Sequence, residues 1–215
     1  MTNALRNVQW AWYKGHMINI PATSLCAAAS AAYSSTPTFV VAGDVHVVFY
    51  ELADVTIVAF RGTEPTDLKD WIRDFDALPL DGGPLGICHR GFLTGAQAAL
   101  PEILARIPFH RPIAVTGHSL GGAMAICLTA LLVTRGINPV VCTTFGAPAI
   151  SIGDKLSKLI EHIPGDRYHC GDDPVPYVPT PPYGQDRKLT QIGVSKLDPI
   201  ADHFIAAYSM ALAVL

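Results

Sequence analysis

Residues 117–122 read Gly-His-Ser-Leu-Gly-Gly, a G-x-S-x-G pentapeptide followed by one more glycine. Before it lies a short apolar β-type run, Ile113 to Thr116; after it the stretch Ala123 to Thr134 carries no charge and is apolar on nearly every face. The pattern predicts a buried strand, a sharp turn and a central helix. A serine forced onto such a turn tolerates only small neighbours. Its Oγ is then held above the sheet, with the next backbone N–H free to bind an anion. A glycine-rich turn with an incidental serine is the competing reading, and the strand before and helix after weigh against it.

A nucleophilic serine on this kind of turn draws its acid and then its histidine from further along the chain. Of the eight histidines, His16, His46, His89, His110 and His118 precede Ser119, and His162 and His169 precede the most suitable acid. His203 remains as the general base. For the acid, Arg167 to Cys170 reads as a strand running into Gly171-Asp172-Asp173-Pro174. Loops at strand ends present catalytic groups, and a residue before proline is held extended. Asp173 therefore ranks first and Asp172 second, while Asp202, adjacent to His203, points away from it.

Four blocks in order resemble the class 3, fungal-type lipase family of α/β-hydrolases. They are Val58-Ala59-Phe60-Arg61-Gly62-Thr63-Glu64, His89-Arg90-Gly91-Phe92, Gly117 to Gly122, and Asp173-Pro174-Val175-Pro176 followed by Asp202-His203. The resemblance covers about residues 39 to 210. It implies an α/β-hydrolase fold, a central mostly parallel sheet with helices on both faces, and hydrolysis of carboxylic esters. Ser119, Asp173 and His203 match the family's triad, and Thr63 and Leu120 its oxyanion-hole residues. The N–H of Leu120 would sit at a helix N-terminus, where the macrodipole favours an anion, and Thr63 would add a second donor. Arg61 reads as a structural ion-pair former.

Between Asp67 and Asp76, Leu68, Trp71, Ile72 and Phe75 recur at i, i+3, i+4, i+7 with charged residues between them. This predicts an amphipathic helix, and the family carries a lid here, so a lid helix is expected over about residues 64–78. It would cover the triad in water and turn its apolar stripe to a lipid surface; a permanently packed surface helix is the alternative.

The remaining pattern fits one domain over residues 1–215. Strands are expected near 39–42, 45–51, 55–60, 112–116, 139–145, 166–170 and 188–192, and helices near 93–107, 119–135, 152–162 and 202–213. Alternation of the two after residue 110 implies a largely parallel sheet covered on both faces. Pro101 is expected to kink or divide its helix. The stretches Pro79 to Gly86 and Pro174 to Gly184 read as loops, and residues 17 to 32 as a packed N-terminal helix rather than a secretion signal. The expected location is accordingly cytoplasmic, or exported if the chain is a mature form.

A formal net charge of −3 without a basic tract gives no support to nucleic-acid binding, and no apolar run is long enough to cross a membrane. Five cysteines without metal spacing read as buried free thiols, and His89 as a fold-supporting residue. No metal or cofactor is called for. The partner expected is a lipid or other ester substrate, met at a transient lipid–water interface; oligomeric state is not legible. The lid stripe and the apolar segment Ile205 to Leu215 tilt the substrate toward acylglycerols. A simple esterase, phospholipase A1, feruloyl esterase, acyl transferase or non-catalytic binding protein would use the same scaffold.

Overall fold

The structure, a computed structural model, describes residues 8–34, 39–41, 45–63, 77–108 and 110–215. At its centre is a seven-stranded sheet of β3 (Phe39–Val41), β4 (Val45–Leu52), β5 (Val55–Phe60), β8 (Ile113–His118), β9 (Val141–Phe145), β11 (Arg167–Cys170) and β13 (Leu189–Ile192). The spatial order is β13-β11-β9-β8-β5-β4-β3. From β5 to β13 every pairing is parallel, and β3, β4 and β5 form an antiparallel edge. The expected fold class, a mostly parallel sheet with helices on both faces, is what the chain adopts.

Strand β5 shows why. Its sequence Val-Thr-Ile-Val-Ala-Phe is buried throughout, as a central parallel strand must be. Successive side chains leave on opposite faces. Val58 and Phe60 enter a core with α2 (Arg90–Arg106) and α3 (Leu120–Val133), whereas Val55, Ile57 and Ala59 enter another with α1 (Ala22–Ala31) and α6 (Ile205–Ala213). Truncating Phe60 would cost about 3–5 kcal/mol. Helix α3 is buried from Gly121 through Leu132. Its lone hydroxyl within that stretch, Thr129, is satisfied by the carbonyl of Ala125 at 2.9 Å.

Several expectations are corrected. Helix α2 begins at Arg90 and runs unbroken through Pro101. The predicted C-terminal helix is two, α5 (Pro199–His203) and α6. Residues 17 to 32 are not all helical. Val8–Tyr13 (β1) and His16–Pro21 (β2) form a hairpin, and α1 follows. Lys14 and Gly15 both have positive φ, the backbone a two-residue hairpin turn requires. The two proline-rich stretches hold short strands of a second sheet, order β12-β10-β7-β6, made of Tyr183–Gly184, Ser151–Ile152, Ile87–His89 and Pro79–Asp81. A six-residue helix at 155–160, α4, stands where 152–162 was expected. All five cysteines are buried free thiols. Among the described residues no helix is long and apolar enough to cross a membrane.

Register brings one end of the sheet together. Phe60 pairs with Gly117, His118 with Phe145, and Phe145 with Tyr168. The segments leaving these strands at their C-terminal ends carry Thr63, Ser119, Gly146 and Asp173 respectively.

Candidate active site

Ser119 stands between β8 and α3 with φ 56 and ψ −131, a backbone that costs a side-chain-bearing residue about 1–3 kcal/mol. Hydrogen bonds hold it there: its N–H donates to Phe145 O at 2.9 Å, and its carbonyl accepts from Gly122 N at 2.9 Å and Ala123 N at 3.3 Å. The flanking glycines have no room for a side chain. A Cβ on Gly121 would strike the Phe60 carbonyl, and one on Gly117 the backbone of Gly121. The elbow is thus pressed directly against the end of β5.

Asp173 follows β11 through Gly171, whose φ of 51 turns the chain. Its carboxylate is buried and fully engaged. Oδ1 accepts from Val175 N at 2.8 Å; Oδ2 accepts from His203 Nδ1 at 2.8 Å and from the Tyr208 hydroxyl at 2.5 Å. Its carbonyl accepts from His169 Nε2 at 3.1 Å. Asp172 is exposed and donates its N–H to Asp202 at 3.0 Å. Asp202 is buried and does not meet His203's ring; it joins the loop before β11's acid to the loop before α5, accepting from Lys196 N at 3.3 Å as well.

His203 ends α5, a short helix capped by Asp198, whose side chain accepts from Ile200 N and Ala201 N at 3.2 and 3.1 Å. The imidazole is buried, with Nδ1 committed to Asp173. Neither its Nε2 nor the Oγ of Ser119, both buried, has a hydrogen-bond partner among the described residues. His118 and Gly146 lie between the two segments that carry them. The ring of His118, next to Ser119, lies 4.7 Å from that of His203, and a Cβ on Gly146 would come 3.1 Å from His203 Cε1.

His118 itself was set aside by the order rule, yet it joins three elements. Its Nε2 lies 2.7 Å from the carbonyl of His203 and its Nδ1 2.7 Å from the Tyr33 hydroxyl. A carbonyl only accepts, so Nε2 carries the proton and Nδ1 accepts from Tyr33. Burial, then the neighbouring His203, hold its pKa well below 6.5 despite the bond to the His203 carbonyl, and the ring is neutral. Sequence reasoning also missed Tyr208 and Tyr33. Tyr208 reads only as one more member of an apolar helix, and Tyr33 is 85 residues from its partner.

Gly62 packs on the elbow: a Cβ there would collide with the Tyr33 hydroxyl, lie 2.5 Å from His118 O and 3.1 Å from Ser119 Cβ. Thr63 follows, its Oγ1 buried and unpartnered among the described residues. Leu120 is the first residue of α3. The lid candidates Leu68, Trp71, Ile72 and Phe75 lie outside the described residues. His89 stacks on Phe92, centroids 3.9 Å apart, as a fold-supporting residue would. A 560 Å³ groove between the hairpin and the β4–β5 turn, lined in part by Tyr13, His16, Ala53 and Pro112, opens at the opposite end of β5.

A strained serine on a strand–helix elbow, with a buried His–Asp pair emerging from later strand ends of a mostly parallel sheet, is the arrangement of an α/β-hydrolase. The comparisons narrow that class. Residues 57–183 match the family model for class 3 lipases, and the chain belongs to that family. It is 31% identical over 182 residues to Lipase A of Sodiomyces alcalophilus, covering 66% of this chain and 43% of that protein. To the secreted mono- and diacylglycerol lipase 1 of Fusarium solani it is 30% identical over 138 residues, 60% of this chain and 40% of that one. The structure of Rhizomucor miehei triacylglyceride lipase superimposes with a TM-score of 0.64 at 23% identity, over 76% of this chain and 67% of that chain. The chain spans less than half the length of the curated relatives it matches.

Proposed function

We propose that the chain is a serine carboxylic-ester hydrolase acting on acylglycerols, with Ser119 as nucleophile, His203 as base and Asp173 as orienting acid. The observation that carries this reading is the buried Asp173–His203 pair, which leaves Nε2 without a partner, as Ser119 Oγ is, the ring of His118 next to Ser119 lying 4.7 Å from that of His203. His203 Nε2 takes the Ser119 proton as Oγ adds to the ester carbonyl. The N–H groups of Leu120 and Thr63, with the Thr63 hydroxyl, hold the oxyanion, each donor being worth about 2.7–4 kcal/mol. Collapse expels the alcohol, protonated by His203, and leaves an acyl-serine. Water, deprotonated by the same imidazole, then releases the fatty acid. Asp173 fixes the tautomer that leaves Nε2 able to accept, and stabilises the cation that forms.

Acylglycerols are favoured because relatives across much of the chain are named as lipases on such substrates. In this reading residues 1–215 act as one domain, and a helix over about 64–78 covers the site, turning Leu68, Trp71, Ile72 and Phe75 to lipid when it opens. Five unpaired buried thiols fit a reducing compartment. The test is hydrolysis of a chain-length series of chromogenic acyl esters by wild type and Ser119→Ala, below and above aggregation of each ester. Ser119→Ala should lose at least about 10⁴-fold in turnover while keeping its fold. A jump in rate above aggregation supports a lipase, its absence a simple esterase; a Ser119→Ala protein as active as wild type would sink the assignment.

A further inference from the structure

Loop 193–198, between β13 and α5, presents two large aliphatic side chains to water: Val194 is 80% exposed and Leu197 92%. Leu197 moreover has φ 61, a conformation that penalises a branched side chain and that folding alone gives no reason to keep. Isolated exposed apolar residues are ordinary; a strained one displayed by an organised loop is not. The organisation is specific. Leu197 N–H donates to Ser195 Oγ at 3.1 Å, Lys196 N–H donates to the buried Asp202 at 3.3 Å, and Asp198 caps α5.

Asp202 also accepts from Asp172 N, so this loop and the loop that carries Asp173 share one anchor and emerge side by side from paired strands β11 and β13. Tyr177, four residues beyond Asp173, is 58% exposed, and Phe204, next to His203, 37%. The exposed aliphatic residues thus stand on a loop anchored to the acid-bearing loop, and Lys196 lies between them in sequence. Exposed aliphatic side chains and a lysine on one short loop suit the boundary between headgroups and acyl chains of a lipid surface.

Building on the ester-hydrolase reading, we propose that Val194, Lys196 and Leu197 form a lipid-surface anchor separate from residues 64–78, tied through Asp202 to the loop bearing Asp173 and to helix α5, which ends in His203. Inserting Val194 and Leu197 sets the catalytic end of the sheet against the surface from which an acyl ester is drawn.

The experiment is co-sedimentation of Ser119→Ala protein, which cannot consume the lipid, with phosphatidylcholine vesicles containing a minority of phosphatidylserine. Each of Val194→Asp and Leu197→Asp should lower the partition coefficient about tenfold, and Lys196→Glu about fivefold on these vesicles but little on pure phosphatidylcholine. In the Ser119 background, kcat/KM for a dissolved short-chain ester should stay within about twofold of wild type. Leu197→Gly separates a lipid role from a structural one: removing strain should hold or raise Tm while binding falls. Variants that bind vesicles as their parent does, or a parent that ignores vesicles, overturn the anchor. Absence of turnover on every ester would instead overturn the hydrolase reading, leaving the binding data to stand.

Discussion

Replacing His118 with glutamine tests the polar lattice behind the triad by pH dependence of stability. In the native protein the ring is buried and neutral, its pKa held well below 6.5 first by burial and then by His203. The unfolded chain frees it to titrate normally. Below 6.5 the unfolded state therefore binds a proton that the native state refuses, and stability falls as pH falls. Between about pH 7.5 and 5.5 an ordinary histidine goes from roughly one-tenth to roughly nine-tenths protonated, so a site that stays neutral forfeits about 1.4 kcal/mol over that span. Glutamine keeps an amide donor for the His203 carbonyl and an acceptor for Tyr33, but takes up no proton. Urea unfolding followed by tryptophan fluorescence at the two pH values gives each protein's acid loss, and groups common to both proteins cancel in the difference. The acid loss of His118→Gln should be smaller than that of wild type by about 1.4 kcal/mol. Equal losses would mean that His118 takes up a proton in the folded state, and the tautomer derived from the His203 carbonyl would be wrong.

Three further substitutions probe the site and the sheet beneath it. Gly146 has φ 59, and a Cβ there would lie 2.7 Å from Asp173 Oδ2 and 2.9 Å from the Tyr208 hydroxyl; Gly146→Ala should fold with about 1–3 kcal/mol less stability and lose at least about 100-fold in kcat on a soluble ester. Tyr208→Phe removes a hydrogen bond to a buried carboxylate and should cost about 1.5–3 kcal/mol in urea unfolding, with Val175 N–H and His203 still holding Asp173. Burial raises the Asp186 carboxyl's pKa, but Arg167 and Arg187 outweigh it and hold it below 3.8. Asp186→Asn, which removes the negative charge facing the buried Arg167 guanidinium and leaves it only neutral acceptors, the Ala147 and Pro148 carbonyls and the new amide oxygen, should destabilise by about 3–5 kcal/mol. A melting curve unchanged by Asp186→Asn would show that this ion pair holds nothing.

What could be read from the sequence was whatever a few neighbouring residues impose by themselves. Gly117, Gly121 and Gly122 mark the elbow because each sits where another atom already fills the Cβ position. The apolar runs at 55–60 and 141–145 mark central strands because both their faces are buried. The hairpin at the N-terminus offered a comparable local cue in Lys14-Gly15, which the apolar residues after Met17 obscured. The small sheet offered none, since strands of two or three residues paired across 63 positions, as Ser151 is with Cys88, leave no periodicity to detect.

The contacts that hold the acid–base pair are of this second kind. Tyr33, His118 and Tyr208 are single residues from just beyond α1, from β8 and from α6: Tyr208 bonds Asp173, His118 bonds the His203 carbonyl, and Tyr33 bonds His118. The result is that His203 is held at both ends: its ring by Asp173, itself gripped by Val175 N–H and Tyr208, and its backbone by His118, itself gripped by Tyr33. Rotation of the imidazole would break the first set, and displacement of α5 the second. An elbow can be specified by local sterics, but a base aimed to within a fraction of an ångström needs partners from elements distant in sequence. Those partners, unlike the glycines, become visible only when the fold brings them together.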